Sequence, residues 1–288
     1  FGSRYVSVLR QAARRQARVN LAFGSPPRSE EEIIDPVAAR EQQDPKRVAV
    51  PKLTAGERRH GDADDFGALS LYLVLAARID PETEISPVTS TREGLYLAAS
   101  VATSPSRKTP IALMQNPFYQ TYRVGAIMAG AEPRYLAHSG FPRFAVDLRE
   151  LDDATLAQVS ILYLCSPSNP DGNAIAADVM QRAIEAARRH NFLVVFDECY
   201  AELYDGDPPG GALDVLAAMD GSERWLDNVL VLHSLSKRSS AAGMRSGFAV
   251  GAADVMAALN RIRLNGTGCT PLPLLAAATA LWSEDTHV

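Results

Sequence analysis

From about residue 110 onward, short β-branched apolar runs alternate with longer stretches in which apolar positions are spaced three and four apart. The runs Ile111 to Met114, Ser160 to Leu164, Phe192 to Phe196 and Val229 to Leu232 are almost uniformly apolar, which predicts strands buried on both faces rather than strands with one wet side. Between the second and third, Val179, Met180, Ala183, Ile184 and Ala187 recur at helical spacing. His190-Asn191 closes that segment with a polar stop, so a crossover helix is predicted. Ser246 to Val250 predicts a further buried strand, and Gly94 to Ala102 a helix. The first 90 residues hold no period, because Pro26-Pro27, the acidic run Glu30 to Glu32, Pro51 and the polar stretch Arg58 to Asp65 interrupt it. They read as an irregular arm and linkers with one helix near Leu69 to Ala77. Strands alternating with helices predict an α/β fold, a mostly parallel sheet flanked by helices.

Composition narrows the function. With 288 residues, 47% of them hydrophobic and 22% charged, the chain can bury one large core, or one core plus a smaller lobe. A net charge of −5 supplies no basic field for a phosphate backbone, so nucleic acid is not an expected partner. Cys165, Cys199 and Cys269 show no Cys-x-x-Cys spacing, and their odd number suits a reducing compartment; the expected location is cytoplasmic. No apolar run approaches the about 20 residues of a membrane helix, and the Arg- and Gln-rich N-terminus has no signal-peptide core. No metal is called for.

In open α/β sheets ligands bind outside the carboxyl ends of the strands, so the residues that follow each apolar run are the first candidates for chemistry. Met114 is followed by Gln115-Asn116-Pro117-Phe118-Tyr119, and Leu164 by Cys165-Ser166-Pro167-Ser168-Asn169-Pro170-Asp171-Gly172. Phe196 is followed by Asp197-Glu198-Cys199-Tyr200, and Leu232 by His233-Ser234-Leu235-Ser236-Lys237. An aromatic, an amide, an acid, a phenol, two hydroxyls and a lysine are thereby directed at one crevice.

The runs Ser166 to Gly172, Asp197 to Tyr200 and Ser234 to Lys237, with Arg245 eight residues after the lysine, resemble in order and spacing the fold type I, class I/II aminotransferases. The fuller string His233 to Ser239, then Gly243 to Phe248, resembles in particular the bacterial N-succinyldiaminopimelate aminotransferases of lysine biosynthesis. The resemblance implies a pyridoxal-phosphate enzyme with a large cofactor-binding domain over residues 61–288, the segment 1–60 forming an arm and part of a small lobe. Lys237 would carry the cofactor aldehyde and move the substrate proton, and Asp197 would hold the cofactor ring nitrogen protonated. Asn169 and Tyr200 would donate to the ring's phenolic oxygen, and Tyr119 would stack on the ring. Arg245, Ser234 and Ser236 would bind the phosphate with Thr91 and Arg92, whose run Thr91-Arg92-Glu93 is similar to the family's Gly-Thr-Arg-Glu loop. Gly24 would lie near the substrate carboxylate. Amino and keto acids are the implied substrates, glutamate among them, and a homodimer the implied assembly.

The sequence departs from that pattern in places. Ser90 stands where the family has glycine, so a loop that needed positive φ there would be strained. Val50-Pro51 to Gly56 lacks the family's tyrosine, Ser25 follows Gly24 where relatives carry an acid, and the chain ends at Val288, soon after the apolar segment Leu272 to Trp282. The family's C-terminal small domain, with the arginine that grips the substrate carboxylate, is expected beyond that point. Plainer roles also fit the same residues: Asp197 as a helix cap, Asn169 to Gly172 as a turn, Tyr119 as core, Arg245 as surface, His233 as an orienting group. Gly266-Thr267-Gly268 lacks the third glycine of a dinucleotide loop. Two other functions remain open at this point. One is a lyase or decarboxylase on the same site; the other is a non-catalytic binding or regulatory protein of the same fold.

Overall fold

The computed structural model describes residues 78–80, 82–104, 107–136, 148, 151–219, 224–267, 270–282 and 288. The helix expected near Leu69 to Ala77, the arm over residues 1–60, Gly24 and Cys269 lie outside these residues. The described strands are β1 (Ile85–Val88), β2 (Ile111–Gln115), β3 (Glu132–Leu136), β4 (Val159–Cys165), β5 (Leu193–Asp197), β6 (Val229–Ser234) and β7 (Gly247–Gly251). They form one sheet in the order β1-β7-β6-β5-β4-β2-β3. The pairings from β3 through β2, β4 and β5 to β6 are parallel, and β7 alone runs against its neighbours. The mostly parallel sheet is therefore present. Because β7 opposes both β1 and β6, the carboxyl ends of β1, β2, β4, β5 and β6 share one edge.

Helices cover both faces, which is why the central strands carry apolar residues without alternation. One face packs α1 (Thr91–Ala102), α2 (Gln120–Met128) and α7 (Ala253–Gly266) over Ala112, Met114, Ile161, Tyr163, Val195 and Leu232. The other packs α3 (Asp153–Leu156), α4 (Ala177–His190), α5 (Ala212–Met219), the single turn α6 (Leu235–Arg238) and α8 (Leu272–Trp282) over Leu113, Leu162, Leu164, Val194, Phe196 and Val231. The crossover helix α4 buries the five residues whose spacing predicts it, and Asn191 ends it in the left-handed conformation at φ 54°. Each large aliphatic side chain so buried contributes about 1.5–3 kcal/mol.

Two strands depart from the reading of the sequence. The first 90 residues read as irregular, yet β1 lies among them; its Ile-Ser-Pro-Val run carries a proline, which a sheet tolerates at its edge, and β1 is an edge strand. Its partner edge, β3, has the polar sequence Glu-Pro-Arg-Tyr-Leu, with two of its residues half-buried and the rest exposed. Neither carries the uniformly apolar signature of the central strands, and both are fixed by pairing to a neighbour.

Candidate active site

At the shared edge lies a cavity of about 270 Å³, lined by residues drawn from six separate segments of the chain. Ser90, Thr91 and Arg92 come from the start of α1, Tyr119 from the cap of α2, and Cys165 from the end of β4. Asn169 comes from the loop that follows β4, Asp197, Cys199 and Tyr200 from the end of β5 and its turn, and Ser236 and Lys237 from α6. Ala242 begins a short 3-10 turn, Ala242–Met244, and Arg245 caps its end. The sequence therefore reads Thr91, Arg92, Tyr119, Asn169, Asp197, Tyr200, Ser236, Lys237 and Arg245 as one site, and the fold brings these nine together.

Local structure explains how each is held. The loop after β4 folds back on itself: Gly172 N–H donates to the Ser168 carbonyl at 2.7 Å, and Ser168 N–H to the Asn173 carbonyl at 2.9 Å. Gly172 sits at φ 70°, a conformation glycine adopts without penalty. The loop projects Asn169 so that its Nδ2 donates to the Tyr200 hydroxyl at 3.2 Å. Lys237 is exposed to the cavity with Nζ 5.6 Å from the centre of the Tyr200 ring. Arg92 Nε donates to the Tyr119 hydroxyl at 2.8 Å, which fixes the orientation of that ring. Arg245 adopts the left-handed conformation at φ 49°, ψ 48°, a strain of roughly 1–3 kcal/mol for a residue other than glycine.

The start of α1 is built by its own motif. Ser90 has φ −178°, ordinary extended backbone, so replacing the family's glycine with serine introduces no strain. Glu93 reaches back to accept the Thr89 amide at 2.7 Å and is itself held by Arg263 Nε at 3.1 Å and by the Thr267 hydroxyl. Thr267, in the run Gly266-Thr267-Gly268, thus serves as a tie between α7 and α1. The first-turn amides of α1, which precede any intrahelical bond, present a partial positive charge where Ser90, Thr91 and Arg92 line the cavity.

Ser234 is the exception among the candidates within the described residues. It is buried and does not line the cavity. Its Oγ accepts the Ser236 amide at 3.1 Å and donates to Ser236 Oγ at 3.0 Å, so it caps α6 and steadies the serine that does face the cavity.

The electrostatics divide the site into charged and neutral groups. Asp197 is buried; burial pushes its carboxyl pKa above the usual carboxylate range, against hydrogen bonds from Tyr122 and Cys199 and the charge of His233, which pull it down. The Tyr200 phenol is pushed up to about 12, by burial first and then by Cys199, so it acts as a neutral donor. The thiols of Cys165 and Cys199 are raised too, again chiefly by burial, which keeps them protonated and unreactive. His233 does not reach the cavity. Its Nε2 lies 3.0 Å from Glu198 Oε2 and its ring stacks on Phe248 at 5.0 Å, an orienting role that links the ends of β5, β6 and β7.

Reading the sequence overlooks Tyr122, whose hydroxyl donates to Asp197 Oδ2 at 2.7 Å, and the two cysteines of the cavity floor. The available signal for Tyr122 is its place three residues after Tyr119, on one face of the same helix.

A buried carboxylate, a lysine amine, a neutral phenol and amide, and a helix start flanked by a guanidinium and hydroxyls form a donor set that fits pyridoxal phosphate: an acid for its ring nitrogen, an amine for its aldehyde, donors for its phenolic oxygen and a pole for its phosphate. Comparison with known proteins agrees. The chain is 31% identical over 211 residues to LL-diaminopimelate aminotransferase of Dehalococcoides mccartyi, covering 72% of this chain and 52% of that one. The crystal structure of an aminotransferase from Neisseria meningitidis superposes with a TM-score of 0.68 at 29% identity, covering 75% of this chain and 55% of that one. N-succinyldiaminopimelate aminotransferase from Mycobacterium tuberculosis shares the fold, with a TM-score of 0.63 at 24% identity over 75% of this chain and 56% of that one. The chain spans about half the length of these relatives. The family model for aminotransferase class I and II, whose members use pyridoxal phosphate, matches residues 17–287, and the chain belongs to that family.

Proposed function

We propose that the protein is an aminotransferase that moves an amino group between glutamate and a keto acid, with a long dicarboxylic acceptor of the N-succinyl-amino-ketopimelate type. The observation that carries the reading is the meeting of Lys237, Asp197, Asn169 and Tyr200 in one cavity, with Tyr119 at its wall. Pyridoxal phosphate, when bound, supplies an electron sink for the pair released at the substrate Cα. Asp197 would hold a proton on the ring nitrogen by its negative charge, and Tyr200 and Asn169 would donate to the phenolic oxygen. Tyr119 would cover the ring face. Thr91, Arg92, Ser236 and Arg245 would hold the phosphate together with the first amides of α1. Lys237 would hold the cofactor at its aldehyde, and its amine is the group in the cavity that would move the proton at the substrate Cα.

The acceptor class draws on the names of two relatives, which act on LL-diaminopimelate and N-succinyldiaminopimelate. A homodimer in the cytoplasm completes the proposal: the outer side of α2 exposes Val124, Ile127 and Met128, and Cys165 and Cys199 are free thiols.

The test is a half-reaction followed by product analysis. Glutamate is expected to bleach the aldehyde absorbance of the enzyme and release 2-oxoglutarate, and the N-succinylated keto acid to restore the absorbance faster than pyruvate does. Borohydride is expected to fix the cofactor to Lys237. Ammonia or carbon dioxide as the product would replace transamination with elimination or decarboxylation. Label on another lysine would remove Lys237 from its role, and equal rates with both keto acids would remove the long-substrate preference.

A further inference from the structure

We infer that Tyr122 is a positioning residue for Asp197: its phenol, fixed between Tyr119 and Tyr163, donates the hydrogen bond that holds the carboxylate as an anion facing the cavity. The geometry leaves the phenol almost no freedom. Tyr122 is fully buried in the first turn of α2 and its hydroxyl lies 2.7 Å from Asp197 Oδ2. Its ring stacks on Tyr163 at 4.7 Å with the planes 4° apart, and meets the Tyr119 ring edge-on at 5.8 Å and 85°. Tyr163 is anchored in turn by donating to the Leu95 carbonyl at 2.9 Å. A donor held so rigidly needs no reorganisation to stabilise charge at its acceptor.

The phenol is also chemically suited to the task. Burial and the neighbouring Asp197 charge raise its ionisation well above the usual range, so it remains a donor. The other groups facing Asp197 give less. Cys199 offers a weak thiol donor and an N–H that reaches Oδ1 at a long 3.3 Å, Cys165 on β4 is a protonated thiol, and His233 on β6 adds an electrostatic attraction. Lys237 and Tyr200 lie along the cavity wall. Without the phenol hydroxyl the carboxylate would keep its burial and lose its one short hydrogen bond, which favours the protonated acid. Tyr122 also joins two parts of the site that the cofactor ring would touch, the carboxylate and the stacking Tyr119, through one turn of α2. This inference rests on the proposed function only for its consequence at the cofactor; the hold on Asp197 stands on the geometry of the protein alone.

The experiment is made first on the protein without cofactor. Infrared difference spectroscopy against Asp197→Asn identifies the carboxyl stretch of Asp197, and its intensity is followed with pH. Tyr122→Phe keeps the ring and both aromatic contacts and removes only the hydroxyl. Its midpoint is expected to rise by about one pH unit, tenfold in proton affinity. A fluorinated tyrosine at position 122, a stronger donor, is expected to lower the midpoint and needs no loss of the hydroxyl. An unchanged midpoint in both overturns the inference. The cofactor dissociation constant is then measured by fluorescence. Tyr122→Phe is expected to weaken binding several-fold in the native background and to have no effect in an Asp197→Asn background. Equal weakening in both would show that Tyr122 acts through packing and overturn its role toward Asp197. A raised midpoint together with cofactor binding and ring-nitrogen protonation that ignore Asp197→Asn would leave Tyr122 in place and refute the proposed role of Asp197.

Discussion

At the scale of single residues, the site is built against the stability of the polypeptide. Asp197 is the clearest case: burial raises its pKa above the ordinary value, so the folded chain binds a proton there more readily than the unfolded chain does. The sign follows directly. The ionised carboxylate opposes folding at pH values above its raised pKa, and that opposition fades as pH falls from there to the ordinary carboxylate value. Asp197→Asn keeps the shape and an acceptor for Tyr122, so without cofactor this variant is expected to melt higher than the native protein at neutral pH. The gain should shrink as pH falls through that window. A melting temperature that stays equal or drops at neutral pH would mean that the neighbours of Asp197 already compensate its charge. Arg245, in its left-handed backbone, belongs to the same pattern of local cost retained at a functional site.

Helices and strands position those residues, and here small side chains matter as much as reactive ones. A Cβ added to Gly125 would stand 2.9 Å from the Tyr96 carbonyl oxygen, because α2 approaches the backbone of α1 at that point. Alanine is the better helix former by about 1 kcal/mol, yet the atom it would meet is backbone and cannot swing aside. Gly125→Ala is therefore expected to destabilise the fold by about 1–2 kcal/mol net, as overpacking does, and to weaken cofactor binding by displacing Tyr119 and Tyr122. Denaturant unfolding and a cofactor titration measure the two effects, and a variant more stable than the native protein would show that α1 and α2 are not so tightly set. The same reasoning explains what the sequence makes legible. The central strands, α4 and the residues at the strand ends can be read because uniform apolar runs and helical spacing are local properties. Edge strands β1 and β3 cannot, since pairing rather than pattern creates them. The Ser-Leu-Ser-Lys run can be recognised, but the division of labour within it cannot: only packing decides that Ser234 caps α6 while Ser236 faces the cavity. Tyr122 escapes notice for a like reason, as its partner stands on another element 75 positions away.

On the scale of the whole molecule, the site is where separate segments of the chain converge, so ligand and fold are thermodynamically linked. The cavity takes residues from the starts of α1, α2 and α6, the end of β4 and its loop, the end of β5 and its turn, and the 3-10 turn before β7. The strand ends among them are joined by backbone bonds, such as Ser166 N–H to the Asp197 carbonyl at 3.1 Å and Glu198 N–H to the Leu232 carbonyl at 2.9 Å, and a single bound molecule that touched every segment would restrain their loops and helix starts together. Free cofactor at one hundred times its dissociation constant is expected to stabilise the native protein by about 2.7 kcal/mol, the mass-action value for one site that the unfolded chain lacks. Lys237→Ala, which removes the covalent link and leaves the phosphate end intact, should need a higher concentration to reach the same gain. Hydrogen exchange gives the spatial form of this prediction. Cofactor should slow exchange at residues 91–94, 119–122, 168–173, 198–201 and 236–245, which come together at the carboxyl edge of the sheet, and leave β3 and α3 at the far side unchanged. Slowing confined to the segment around Lys237 would mean that the cofactor is anchored by its lysine alone and that the other strand ends do not close on it. Uniform slowing across β3 and α3 as well would mean that protection reflects global unfolding, with no local closure to be seen.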